Sequence, residues 1–509
     1  MDAGLFARSG AGELSLSSAH ATGADRPQQS FWLDQAVNGL RRAQPEFSAA
    51  SPLAAWQRRA LIGLSFAVPL AVWLAPQAML GVAIFGLALP VICAALVKIY
   101  ALWTILTVRT DVASVRPLAA LAEDDLPAYS LLVALFREAD VAPALVAAMA
   151  ALRYPVAKLE ILFLVEAGDI PTRSALERSG LMPNMSIITV PAGLPQTKPR
   201  ALNYGLGFAS GERIAVYDAE DMPEPDQLLR AVQAFAASPV PLACVQARLN
   251  VYNRDAGPVA RQFTLEYCAL FDAILPALAK LGWPVPLGGT SNHFSRAALD
   301  AAGGWDPFNV TEDADLGFRL ARLGHKVGLI PSTTWEEAPV SFSAWFGQRT
   351  RWLKGWMQTY LVHTRNPVKL WQDLGAWGFI GFQILMAGMI ASALVHPLFF
   401  GLLAAQCWSG SCMGFGADGA APSSWQAAVW QAGLWSLVAS YAAAISLAMI
   451  TGRRRGFGNL TRAALCIPLY WLAISAAAYS AVVELCRSPY HWQKTAHTAR
   501  PVTISAPAA

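Results

Sequence analysis

Charge is scarce in this sequence. Only 14% of its 509 residues are Asp, Glu, Lys or Arg, against roughly 25% in ordinary soluble domains. With 55% hydrophobic residues and a mean hydropathy of +0.38, part of the chain is expected to lie in lipid. The formal net charge of +4 is too small to suggest a grip on phosphate backbones, so no nucleic acid is expected as a partner. Cysteine is sparse too. The seven, Cys93, Cys244, Cys268, Cys407, Cys412, Cys466 and Cys486, include no C-x-x-C pair, which argues against a zinc site or a disulfide framework. Cys407 and Cys412 share a short loop expected outside the membrane, where a disulfide would persist, and two free thiols fit equally well. The first fifty-odd residues lack an apolar run, which excludes a cleavable signal peptide there. Residues 1–57 read as a cytoplasmic N-terminal segment. It is disordered to about Ser30, with a short amphipathic helix over Phe31 to Arg42.

Long uncharged runs are what the sequence has in place of charge. Ala60 to Val97 carries no charge and breaks at Ala75-Pro76-Gln77, so residues 58–109 read as two transmembrane helices. Arg58 and Arg59 precede them and Lys98 and Arg109 follow, which puts both ends in the cytoplasm. Leu374 to Gln406 and Trp425 to Ile450 are two further runs. The loop between them has no Lys or Arg, while Arg453, Arg454 and Arg455 follow the second. Residues 366–451 therefore read as an interface helix and two spans. Ala463 to Val483 is long enough to span, yet basic residues flank both its ends. The preferred reading of 452–509 is an interfacial segment and a cytoplasmic tail, with a fifth span as the alternative.

Between Thr110 and about Arg365 apolar β-prone runs alternate with helical stretches. Tyr129 to Leu135, Leu159 to Val165, Ser186 to Val190 and Arg213 to Tyr217 read as strands; Ala142 to Leu152 and Lys198 to Ala209 read as helices. That alternation predicts an α/β domain over 110–365 with a parallel sheet covered on both faces. Ligands bind such sheets at the carboxyl ends of the strands, where Asp169 and Asp218 fall.

Three motifs carry chemistry. Asp218-Ala219-Glu220-Asp221 puts three carboxylates within four residues at a strand end; a divalent cation would relieve their repulsion, and hard oxygen ligands suit Mg²⁺ or Mn²⁺. A solvated acidic turn is the bland explanation. Thr311-Glu312-Asp313 opens a helix. There the acids either favour the helix dipole or provide a general base, Asp313. Gln348-Arg349-Thr350-Arg351-Trp352 places Gln348, Arg351 and Trp352 on one helical face, suited to clamping a diphosphate and stacking on a sugar, or to lying in a membrane interface.

In this order on one α/β domain between membrane segments, the motifs resemble the processive family-2 glycosyltransferases, the group of cellulose, hyaluronan, chitin and curdlan synthases. The resemblance covers roughly Pro127 to Thr495. It implies a cytoplasmic GT-A-like, Rossmann-type domain inserted between transmembrane helices of a bacterial inner membrane. It also implies a UDP-sugar donor, with glucose as the sugar, and a β-linked polysaccharide acceptor. An accessory subunit is left open. By the same resemblance Asp313, with Glu312, is catalytic; Asp218, Glu220 and Asp221 hold Mg²⁺ or Mn²⁺; and Phe136, Glu138, Asp169, Lys198, Asp218 and Arg351 bind the nucleotide sugar. Gly289, Thr290, Gln348 and Trp352 meet the acceptor, with Gln246 and Arg248 as further candidates. Trp492, Lys494 and Thr495 resemble a gating segment. Ala134 stands where the family carries proline, and Glu220 where it carries Asp. His293 reads either as part of the acceptor site or as a satisfied core histidine. Two rival readings are transfer of a single sugar to a lipid or short glycan, and a scaffold with an inactive domain.

Overall fold

The computed structural model describes residues 26–51, 53–107, 122–408 and 424–491. Cys412, and with it the Cys407–Cys412 pairing, lies outside them, as do Trp492, Lys494 and Thr495.

Eight strands form one sheet among the described residues: β1 Tyr129–Leu135, β2 Leu159–Glu166, β3 Met185–Val190, β4 Arg213–Tyr217, β5 Met222–Pro223, β6 Leu242–Val251, β7 Asn292–Ser295 and β8 Lys326–Glu336. Their order is β3-β2-β1-β4-β7-β6-β8-β5. The first four are parallel. β7 runs antiparallel to both β4 and β6, β8 runs parallel to β6, and β5 pairs antiparallel to β8. The sheet is thus mixed rather than parallel throughout. The short strands β7 and β5 supply the antiparallel pairings.

The helices, in chain order, begin with α1 Arg26–Ala43, α2 Ala55–Leu74 and α3 Pro76–Thr107. Within the domain come α4 Ala142–Ala150, α5 Ile170–Arg178, α6 Lys198–Leu206, α7 Gln227–Ala237, α8 Pro258–Ala269, α9 Leu275–Leu281, α10 Arg296–Ala301, α11 Glu312–Arg322 and α12 Phe342–His363. After them follow α13 Pro367–Phe382, α14 Gly388–Trp408, α15 Ser424–Arg454 and α16 Ile467–Arg487. Side chains alternate across the sheet. On one face Leu131, Val133, Ile161 and Phe163 pack against Leu145 of α4, Leu176 of α5 and Leu228 of α7. On the other, Leu132, Leu162 and Val216 pack against Leu202 of α6, Leu299 of α10 and Leu316 of α11. Burial on both faces explains why these strands are continuous apolar runs.

α1 belongs to the second layer. Ala36 and Leu40 are buried, Trp32 lies against Gly207 and Leu40 against Gly303. The helix is longer than the stretch expected at Phe31 to Arg42, and docking orders a part of the segment expected to be disordered.

Four helical stretches among the described residues are long and apolar enough to cross a membrane: Ala88–Thr107, Pro367–Leu398, Gln431–Arg454 and Gly458–Arg487. α2, which carries Arg58 and Arg59 in its first turns, is not among them. The segment Ala463 to Val483, expected as an interfacial segment or a fifth span, falls in a 3-10 stretch, Gly458–Cys466, leading into the 21-residue helix α16. Its aromatics meet protein partners: Tyr470 reaches Glu266 and Trp471 stacks on Tyr441 at 5.0 Å.

Candidate active site

Asp218 follows the last residue of β4. Its carboxylate accepts from the Lys198 ammonium, which also donates to the Gly289 carbonyl at 2.7 Å. Lys198 opens α6, with Pro199 as its second residue, so the helix start projects this cation onto the strand end.

Asp221, expected to share a metal, commits one carboxylate oxygen to the fold while the charges of Asp218 and Glu220 still act on it. It is 1% exposed, and its Oδ2 accepts the Asp218 backbone N–H at 2.6 Å and the Thr290 hydroxyl. It braces the acidic turn from beneath. Thr290, expected at the acceptor, is also 1% exposed, and its hydroxyl is directed at Asp221 and the Val216 carbonyl. Burial, and then the neighbouring charge of Asp218, pushes the Glu220 carboxyl up to about 8. Burial followed by the same acidic neighbours raises Asp221 and Glu336 well above the usual carboxylate range. Glu336, the last residue of β8, escaped the sequence reading. It joins the cluster because β8 pairs with β5, which sets Trp335 opposite Met222 just past the acidic turn.

No group of three or more His, Cys, Asp or Glu among the described residues is arranged to hold a metal ion. Asp218 and Glu220 nonetheless fit one. They are hard oxygen donors in a cluster with excess negative charge, and Mg²⁺-type sites commonly use one or two carboxylates and complete their shell from phosphate and water.

The second acidic group stands across Gly289. A methyl placed on Gly289 would lie 3.4 Å from Asp313 Oδ2 and 3.9 Å from Asp218 Oδ2, so the two motifs converge where Gly289 lacks a side chain. Asp313 Oδ1 accepts the Ala314 backbone N–H at 2.8 Å, leaving Oδ2 on the Gly289 side. Burial raises the Asp313 carboxyl, while Lys198 and Arg351 draw it down. Glu312 is 4% exposed, and burial with the Asp313 charge lifts it to about 8. Thr311 makes no side-chain cap; it packs on Gly355 of α12 instead.

α12 brings Arg351 to these acids. Arg351 donates weakly to the Val310 carbonyl at 3.4 Å. Burial lowers its pKa, and the charges of Glu312, Asp313 and Asp218 oppose that. The Trp352 ring lies 4.6 Å from the Arg349 guanidinium. Gln348 Oε1 is sealed from solvent without a hydrogen-bond partner.

At the end of β1 the expected nucleotide contacts form a loop bound to α5. Arg137, in a left-handed conformation with φ 57°, lies over the Phe136 ring and donates its N–H to Asp169 at 2.5 Å. Asp169 also caps α5. Glu138 donates its backbone N–H to Thr172 at 2.9 Å, and its charge acts on Glu220. Glu166 is locked to Arg200 at 2.7 Å in a buried pair.

The remaining acceptor candidates fall inside the fold. Gln246 is fully buried and braces the glycine loop, accepting from Gly288 N at 2.8 Å and donating to Thr290 O at 3.0 Å. Arg248 pairs with Asp272 at 3.4 Å. His293 is fully buried between the Tyr129 hydroxyl at 2.9 Å and Gln227 at 3.3 Å; burial pushes it down to about 3, as befits a neutral core histidine.

A nucleotide-fold sheet with its acids and cations converging at the strand ends defines a GT-A-like transferase domain. Residues 127–355 match the family described as Glycosyltransferase like family 2, so the α/β domain is similar to the sugar-transferring domains of that family. It is 30% identical over 268 residues to the beta-monoglucosyldiacylglycerol synthase of Synechocystis sp., covering 51% of this chain and 55% of that protein. It is 24% identical over 233 residues to the poly-beta-1,6-N-acetyl-D-glucosamine synthase of Staphylococcus aureus, covering 46% and 55%. The chain thus spans about half the length of these relatives. A solved mannosyltransferase from Pyrobaculum calidifontis, in complex with GDP-Man and Mn²⁺, superposes with TM-score 0.49 at 19% identity, over 79% of this chain and 97% of that one.

Proposed function

We propose that the chain is an inverting membrane glycosyltransferase. It moves a sugar, glucose in the first instance, from a UDP-sugar to a growing β-linked polysaccharide at the cytoplasmic face of a bacterial inner membrane. The observation that carries this is the convergence of Asp218 and Asp313 on Gly289, where one added methyl would lie within 4 Å of both carboxylates: one acid for the leaving-group side, one for the attacking hydroxyl.

A divalent cation, Mg²⁺ or Mn²⁺, held by Asp218 and Glu220 would supply positive charge to the departing diphosphate. Lys198 and Arg351 add fixed cations on the same side. Phe136, Glu138 and Asp169 border the nucleotide. Gly289, Gln348 and Trp352 form the acceptor side, where Asp313 takes the proton from the acceptor hydroxyl as that oxygen attacks the anomeric carbon. Attack opposite the diphosphate inverts configuration and yields a β-linkage from an α-donor. Segments 58–109 and 366–451 anchor the domain, and Trp492, Lys494 and Thr495 serve as a gating segment by resemblance alone.

A second reading, transfer of one sugar to a lipid, is favoured by the relative that bears a glucosyldiacylglycerol synthase's name. One experiment tests both. The purified chain in nanodiscs is given each common UDP-sugar with Mn²⁺, Mg²⁺ or chelator, with and without diacylglycerol, and the product is sized. Metal-dependent release of UDP with a long product supports the first reading. A single-sugar lipid product replaces it with the second. No turnover on any donor overturns both.

A further inference from the structure

Arg349 sits in the motif that binds the acceptor side, yet it faces away from the acids. Its two terminal nitrogens donate to the Glu266 carboxylate at 2.7 and 2.5 Å. Glu266, on α8, also accepts the Tyr470 hydroxyl at 2.8 Å, and that hydroxyl accepts the Trp345 indole N–H at 2.9 Å. The Arg349 side chain is 8% exposed, that of Glu266 32%. Aromatic rings surround the guanidinium: Trp352 at 4.6 Å, Phe263 at 5.1 Å, Trp345 at 5.8 Å and Tyr470 at 5.9 Å.

A buried ion pair contributes little net stability, because desolvation offsets most of its attraction. What such a pair does provide is direction. The two-pronged contact fixes the plane of the guanidinium, and that plane backs the Trp352 ring. Without Glu266 the guanidinium would turn toward other acceptors, and the ring would lose the surface that holds its rotamer. Tyr470 stands on α16, a stretch long and apolar enough to cross a membrane. The ring's orientation is therefore set jointly by the domain and a flanking helix.

We propose that Glu266, Arg349 and Tyr470 are positioning residues that orient Trp352 as the platform for the acceptor, so that acceptor binding depends on how α16 packs against the domain. The proposal rests on the transferase reading above.

The test uses the full chain in nanodiscs with saturating donor and whichever of diacylglycerol or a soluble β-glucan oligosaccharide the wild type uses. Glu266→Gln and Arg349→Lys should each raise the acceptor KM about tenfold, the scale of one desolvated cation–π contact, while the donor KM moves less than twofold. Tyr470→Phe keeps the ion pair and should give a smaller shift in the same direction, so it carries the test should either of the others fail to fold. The double variant of Glu266→Gln with Trp352→Ala should bind acceptor no worse than Trp352→Ala alone, since both act on one ring. Additive losses, equal shifts in donor and acceptor KM, or an unchanged acceptor KM would each overturn the proposal. A wild type that uses neither acceptor at all defeats the transferase reading instead.

Discussion

The carboxyl end of β4 and the start of α11 are both acidic, but their surroundings differ. At β4, Asp218, Glu220, Asp221 and Glu336 cluster around one cation, Lys198, which pairs with Asp218; burial, and then their mutual repulsion, raises the last three. At α11, Glu312 and Asp313 lie between Lys198 and Arg351, which draw both carboxyls down against burial. Four carboxylates against one lysine suit a further, bound cation. A compensated pair, lifted partway toward neutrality, suits proton transfer. The same residue type thus acquires two roles from its neighbours.

The largest effect that can break this contrast comes from Asp313→Asn. It should lower the transfer rate by roughly 10²–10⁴-fold, the usual contribution of a general base, with donor affinity retained in calorimetry. Asp218→Asn should cost about 10²–10³-fold and, unlike the first, should weaken donor binding and abolish the response to added Mn²⁺. If the two variants gave the same pattern, the division of roles would be wrong.

Gly289→Ala probes the gap itself. Its methyl would stand 3.4 Å from Asp313 and 3.9 Å from Asp218, near contact with both but clashing with neither. A loss of about tenfold in kcat/KM with an unchanged melting temperature is expected from steady-state kinetics.

The smallest effect concerns stability. Burial lifts the folded Glu312 carboxyl from 4.5 to about 8. Folding therefore favours its protonated form, a contribution fully present below the unfolded value and lost as pH rises through the folded one. Glu312→Gln, which stays neutral, should melt above wild type near about pH 9 and level with it near about pH 4. Equal melting curves across that range would remove Glu312 from the buried cluster.

Much of this site was legible because its parts are local. Asp218 follows an apolar strand, Asp313 opens a helix, and Arg351 and Trp352 neighbour each other on a third element, so spacing alone picks them out. The inward turn of Asp221 was not legible. Three carboxylates in four residues look equivalent until Thr290 and the Asp218 N–H claim one of them. Glu266 and Glu336 also escaped. Neither lies in a motif, and each enters through a partner far away in the chain: Glu266 through Arg349, Glu336 through the pairing of β8 with β5.

The helix α16 makes the same point at a larger scale. Basic flanks do not announce which partners this segment meets, and Ile467–Arg487 forms one continuous helix packed on the domain. Lys354 of α12 pairs with Glu484 at 2.9 Å, and Gln358 donates to the Pro489 carbonyl at 2.9 Å, so protein partners satisfy polar groups that would otherwise seek water.

By itself the sequence determined the class of fold, the order of its motifs and where the long apolar helices fall, because periodicity, hydropathy and strand-end acids are properties of short stretches. Only the tertiary structure decided which carboxylates lie together, which are spent as braces and which helix packs near Trp352. Those depend on residues distant in sequence being brought within a few ångströms, and no spacing rule encodes that.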